Sequence, residues 1–328
     1  MNLVKKYLNP KNDAAFKRIF GTEKNKDILI AMLNAVLGKR LHKRIEQIQF
    51  LSPRQEPELV GSKESVVDVL CQDNDGCQYI IEMQIGHAEG FENRAQYYAA
   101  KAFVNQARAG DKYADLKRVI FIAFCDFNIF SEKEHYKSEH FMLDGKTNER
   151  NLTQFSFTFI DLVKFDKQCG NNVKDLTLEE KFYYFLCHAE DIEEEELKKL
   201  IANKTIKKAF TELTQFNWSG NEFAYYESAE KKRKDYISTL DYSKKEGIKI
   251  GEKKGEKRGK QKGIKIGEKR GEQRGIKIGK EEGIEIGAQK ERRKMVEQLL
   301  ASGMNKPRVG EILGLTLPEL EKLLNFTA

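Results

Sequence analysis

The stretch Ser65-Val-Val-Asp68-Val-Leu-Cys71-Gln72-Asp73-Asn74-Asp75-Gly76-Cys77-Gln78-Tyr-Ile-Ile-Glu82-Met83-Gln84 decides how the rest of the chain is read. Two apolar, β-branched runs flank Asp73-Asn-Asp-Gly76, a strong hairpin signal because Asn and Gly tolerate the positive φ of tight turns. A carboxylate within such an apolar strand is costly unless paired, hydrogen-bonded or bound to a metal. Strand side chains alternate, so Glu82 and Gln84 share one face. If the loop is Asn74, Asp75 and Gly76, Asp73 pairs with Cys77 and Asp68 falls opposite Glu82, on the face of Gln84. A two-residue loop sends Asp68 to the other face unless a bulge intervenes. Two carboxylates facing each other across a ladder repel, and a divalent cation resolves the repulsion. The all-oxygen set suits Mg²⁺, Mn²⁺ or Ca²⁺ and not zinc. The plainer alternative, a surface pair on an exposed sheet face, fits poorly with such apolar neighbours.

Upstream, residues 9–22 carry an amphipathic run, Ala15, Phe16, Ile19 and Phe20, with Asn12 or Asp13 as N-cap. Residues 24–37 space Ile28, Leu29, Met32, Leu33 and Val36 as a second helix that stops at Gly38. Residues 45–51 read as a strand. Downstream, a helix spans 91–109, on which Arg94, Tyr97, Tyr98 and Lys101 form one polar-aromatic band while Ala95, Ala99, Ala102 and Phe103 pack on the sheet. Ordinary half-buried packing is the other reading for the tyrosines. Strands follow at 117–125 and 153–160. This order predicts an α/β fold, a mixed central sheet flanked by helices, with a long helical C-terminal extension.

With 328 residues, 40% of them apolar and 33% charged, the chain suits a globular body with a highly charged appendage. Its longest apolar run, Val119 to Cys125, falls far short of the ~20 residues that span a bilayer. The opening Met1-Asn-Leu-Val-Lys-Lys has no apolar signal core, so a cytoplasmic protein without membrane contact is expected. Five cysteines without a CxxC pair argue against a zinc knuckle or disulfide framework, and Cys71 and Cys77 read as reduced strand thiols.

Residues 244–294 hold 19 Lys and Arg against 9 Asp and Glu, a net +10, leaving 39 basic and 42 acidic residues elsewhere. Within that segment glycine recurs at every fourth position from Gly247 to Gly287. Each glycine costs a helix up to ~1 kcal/mol relative to alanine, yet flexible linkers are serine-rich and hold no strict period. A helix used for homo-oligomer formation, a basic tether and a direct nucleic-acid contact are the three readings, with self-association through 244–290 preferred. Residues 291–325 read as three short helices, the last behind a Thr316-Leu-Pro-Glu319 capping box. The pattern resembles a helix-turn-helix, but Glu319, Glu321 and a single Lys322 suit phosphate poorly, so a packing or oligomerisation cap is preferred.

In order and content these elements resemble the Rpn family of recombination-promoting nucleases, a transposase-like branch of the PD-(D/E)XK nuclease superfamily. The resemblance rests on Asn12-Asp13-Ala-Ala-Phe-Lys17-Arg-Ile-Phe-Gly21, Val67-Asp68-Val-Leu70, Ile81-Glu82-Met83-Gln84, Arg94 with Tyr97-Tyr98 and Lys101, and the glycine-repeat tail. It implies that Asp68 and Glu82 hold a divalent cation with the Met83 carbonyl, and that the substrate is DNA. Gln84 stands where the superfamily usually has lysine; an amide orients water but brings no positive charge. Asp13 and Lys17 become accessory residues of the first helix, and Arg94 and Tyr98 accessory residues of the third. The expected layout is a nuclease-like core at 1–175, a helical extension at 176–243, the glycine repeat at 244–290 and a small helical unit at 291–328. A metal-dependent DNA endonuclease linked to recombination is the first expectation. A catalytically weak DNA-binding or assembly protein that oligomerises through the tail is its rival.

Overall fold

The computed structural model describes residues 6–41, 43–55, 65–86, 88–107, 110–169 and 173–325. The first five residues of the N-terminal stretch and the expected helix end at Ala109 lie outside them. Among the described residues eight strands are formed: β1 Ile48–Phe50, β2 Arg54–Gln55, β3 Ser65–Val66, β4 Val69–Asp73, β5 Gln78–Gln84, β6 Val119–Cys125, β7 Lys137–Phe141 and β8 Phe155–Asp161. The helices are α1 Asp13–Phe20, α2 Lys26–Leu37, α3 Phe91–Val104, α4 Leu162–Gln168, α5 Leu178–His188, α6 Glu194–Leu200, α7 Lys204–Leu213, α8 Gly220–Ala301, α9 Lys306–Leu313 and α10 Leu317–Leu324.

Six strands make one mixed sheet in the order β1-β4-β5-β6-β8-β7. Its centre, β5-β6-β8, is parallel, and the outer pairings are antiparallel. The fold expected from the sequence is therefore present. The hairpin closes as a three-residue loop: the Asp73 amide donates to the Cys77 carbonyl at 3.0 Å, and Gly76 adopts φ 81°. The Asp73 carboxylate accepts from the amides of Asp75 and Cys77, which fixes the turn from inside. Val69 then faces Ile81, and Gln72 faces Gln78.

The strand expected at 65–72 is not continuous. It breaks between Val66 and Val69, and Val67 and Leu70 both pack against α3, so the strict alternation fails at Asp68. Asp68 thus sits just beyond the end of β4, which corrects the expectation of a regular cross-strand pair with Glu82.

An eight-residue helix such as α1 is marginal alone. It persists because Phe16, Ile19 and Phe20 are wholly buried with α2, α5 and α7 on one face of the sheet. Phe182, Phe185 and Phe210 complete that layer. On the opposite face α3 lays Phe91, Ala95, Ala99 and Ala102 over Ile80 and Phe121, the alanines permitting a close approach. The helix ends at Val104, not at 109. All five cysteines are free, and burial pushes the Cys77 thiol up to about 11.

Two compact units are present, Met1–Leu240 and Asp241–Ala328. The glycine repeat is helical throughout, inside the 82-residue α8. Apart from the helix's own backbone, none of the described residues lies within 4 Å of where a Cβ would stand on any glycine from Gly247 to Gly287. The neighbouring isoleucines, Ile248 and Ile264 among them, are exposed by half. The C-terminal unit holds two short helices, not three, since the first expected one is the end of α8; Val296, Val309 and Leu320 form its core. The Thr316 capping box is formed. Among the described residues no helix is long and apolar enough to cross a membrane.

Candidate active site

The strand break aims the first acid. With no β4 residue left to pair, the Met83 amide donates to Asp68 Oδ2 at 2.9 Å. In return the Asp68 amide donates to Glu82 Oε1 at 3.2 Å. The two carboxylates are thereby held side by side through each other's backbone, on the end of the sheet where β5 leaves for Gly86. Glu82 is 3% exposed and the Asp68 side chain 17%. In an antiparallel ladder a residue's N–H and C=O point to the same neighbour, so the Met83 carbonyl faces the side vacated by β4.

Gln84 lies on the face of Glu82, as alternation requires. Its Nε2 donates to Glu82 Oε2 at 2.7 Å, and its Oε1 accepts from Arg94 Nη2. Arg94, in the first turn of α3, stacks over Phe91 with 4.9 Å from guanidinium carbon to ring centre. Tyr98, one turn on, is half-buried within electrostatic reach of Arg94, Glu82 and Asp68, and burial raises its phenol. Tyr97 is 44% exposed and packs against the Tyr98 ring, while Lys101 bonds Ser65 Oγ at 3.5 Å.

Asn12, not Asp13, caps α1: its side chain accepts from the Ala14 amide at 2.9 Å. Asp13 is thereby free to hold the Lys17 ammonium at 2.6 Å, one helical turn away, and Lys17 stands 3.5 Å from Asp68 Oδ1. The Tyr225 hydroxyl donates to Asp13 Oδ2 at 2.9 Å. Tyr236 lies against the backbone of Gly86, just past β5. Both tyrosines come from the first turns of α8. The sequence assigns them no role, because only the tertiary fold brings a helix starting at Gly220 to this edge of the sheet.

Burial is the largest influence on both acids and pushes both above the usual carboxylate range. The Asp68 charge raises Glu82 further; the backbone donors, Lys17 and Arg94 pull the other way without cancelling the rise. For Lys17 burial acts downward, but the Asp13 hydrogen bond and the charges of Asp68 and Asp13 outweigh it and raise it. Such a cluster of acids, short of counter-charge and with a backbone carbonyl beside it, fits a hard divalent cation. Among the described residues no three His, Cys, Asp or Glu side chains group as a complete metal cage. A cation here would rest on two carboxylates and fill its shell with carbonyl, water or phosphate oxygen, as Mg²⁺ commonly does.

No match was found among curated proteins or among solved structures. Residues 10–243 match the model of the PD-(D/E)XK nuclease family transposases, a span that takes in the sheet, the acid pair, the Arg94 helix and both α8 tyrosines, and the chain belongs to that family.

Proposed function

We propose that the protein is a divalent-cation-dependent DNA endonuclease of the Rpn type, working in the cytoplasm on recombining or mobile DNA. The observation that carries this reading is the reciprocal bonding of Asp68 and Glu82, which holds two buried acids together with raised proton affinity. Asp68, Glu82 and the Met83 carbonyl would hold Mg²⁺, or Mn²⁺ or Ca²⁺. When bound, such an ion acidifies a water and neutralises phosphoryl charge.

The chain's own residues do the rest. The two amide donors fix the rotamers of Asp68 and Glu82, so little ordering remains when ligand arrives. Gln84 Nε2 holds Glu82 against the sheet. Asp13 keeps Lys17 beside Asp68, where it offsets part of the acid charge.

Two measurements test the proposal together. Plasmid nicking with Mg²⁺, Mn²⁺ or Ca²⁺ should be lost in EDTA and in Glu82→Ala. Calorimetric titration of the same cations should release protons, more at pH 6.5 than at pH 9, because the ion displaces protons that the raised acids still hold at the lower pH. Equal nicking by wild type and variant, or cation binding without proton release, would overturn it. A non-cutting DNA-binding or assembly role is favoured by one observation, the Lys17 ammonium already resident beside Asp68; absence of nicking with intact DNA binding would select it.

The tail supports a further part of the proposal, a homo-oligomer formed through 244–290. Open glycine positions beside half-exposed isoleucines leave that helix face without a partner among the described residues. Removing 244–328 should reduce the solution mass to that of a monomer by light scattering; an unchanged oligomeric state removes self-association through the tail.

A further inference from the structure

Two carboxylates repel the phosphodiester they are meant to meet, and a divalent cation only balances their two charges, so a cation of the protein is left to draw the anion in. The two cations bonded into this network differ. Lys17 is engaged by Asp13 and Asp68. Arg94 has no carboxylate within salt-bridge distance among the described residues; it donates to the neutral Oε1 of Gln84. Its Nε is buried and has no hydrogen-bond partner. A half-buried guanidinium with an orphaned donor, separated from the Glu82 charge by the Gln84 amide, is costly as it stands, and an arriving anion relieves that cost.

Its surroundings leave room for such an anion. A cleft of about 470 Å³ opens beside it, with Gly90, Phe91, Arg94, Tyr97 and Tyr98 in its lining and, among the described residues, Glu89 as the one acid there. Gly90 at the start of α3 offers no side chain to cap the helix, whose first turn carries Glu92 as well as Arg94. Phe91 fixes the guanidinium plane, and Gln84 ties it to Glu82. We propose that Arg94 binds the scissile phosphate, bringing to the site the positive charge that Gln84 lacks, with Gln84 as the arm that sets its distance from Glu82. This rests on the nuclease reading above and adds a residue role to it.

The test uses the full-length protein, a short fluorescent DNA duplex and a supercoiled plasmid. Arg94→Gln should slow nicking about a hundredfold. It should also flatten the salt dependence of duplex binding, measured by anisotropy in Ca²⁺, by about one ion. Arg94→Lys keeps the charge and should retain the wild-type salt slope. Placing Gln84→Lys in the Arg94→Gln background should restore nicking to within about tenfold of wild type, since it returns a cation two residues past Glu82. Wild-type nicking and slope in Arg94→Gln overturn the proposal. So does a lost slope in Arg94→Lys, which also decides the matter if Arg94→Gln does not fold. If no protein nicks but the slope still falls in Arg94→Gln alone, the phosphate contact stands and the nuclease reading fails.

Discussion

In EDTA at pH 8, Asp68→Asn should melt above wild type, while with Mg²⁺ the same protein should nick plasmid at least about a hundredfold more slowly. The two signs share one cause. Asp68 is raised chiefly by burial, so the folded protein holds a proton that the unfolded chain releases. For a group shifted in that direction, stability is full below the ordinary carboxylate range and is lost as pH climbs through the raised value. Asparagine never ionises and escapes this loss. It keeps an oxygen for the Met83 amide, and its nitrogen has Asp13 within reach. At pH 8 the gain should be on the order of 1–3 kcal/mol, about 3–10 °C for a unit of this size. It should fade to nothing near pH 4. A variant that melts with wild type at every pH, or nicks as fast, would refute the account of the acid pair.

Gly86→Ala should cost about 2–4 kcal/mol. Gly86 sits at φ 84°, a backbone state that side chains resist, and a Cβ there would lie 2.4 Å from Tyr236 Cε1. Either the ring moves or the end of β5 does. Since Tyr236 and Tyr225 share the start of α8, displacing the ring also loosens the Tyr225 bond to Asp13, and nicking should fall with stability. Urea melts provide the measurement. Adding Tyr236→Ala should recover the crowding part and leave the backbone part. A single variant as stable as wild type would mean that the ring exerts no constraint on this edge.

The hairpin was legible because its determinants are local: Gly76 accepts the positive φ and Asp73 bonds its own turn, which selects the three-residue loop from the two that the sequence allowed. The buried acids were legible as misfits in apolar strands. The break at Val67 and Asp68 was not, since it depends on a Met83 amide fifteen residues away that a regular strand would have satisfied. Strand β7 carries no strand signal in its sequence either. Lys137-Ser-Glu-His-Phe141 carries no apolar alternation, and it is held at the sheet edge by pairing to β8 and by Lys137 on Glu179. The tail's period announced a helix, but its glycines meet nothing among the described residues beyond their own helix, so no partner could be read from them.

Because the Met83 amide hydrogen is tied to an acid side chain and not to a neighbouring strand, its shielding from solvent follows the state of that acid. A single peptide group just past the β4–β5 ladder therefore doubles as a built-in indicator. Its rate of deuterium uptake tracks whatever charge or ligand Asp68 is answering to, while the amides on either side stay silent.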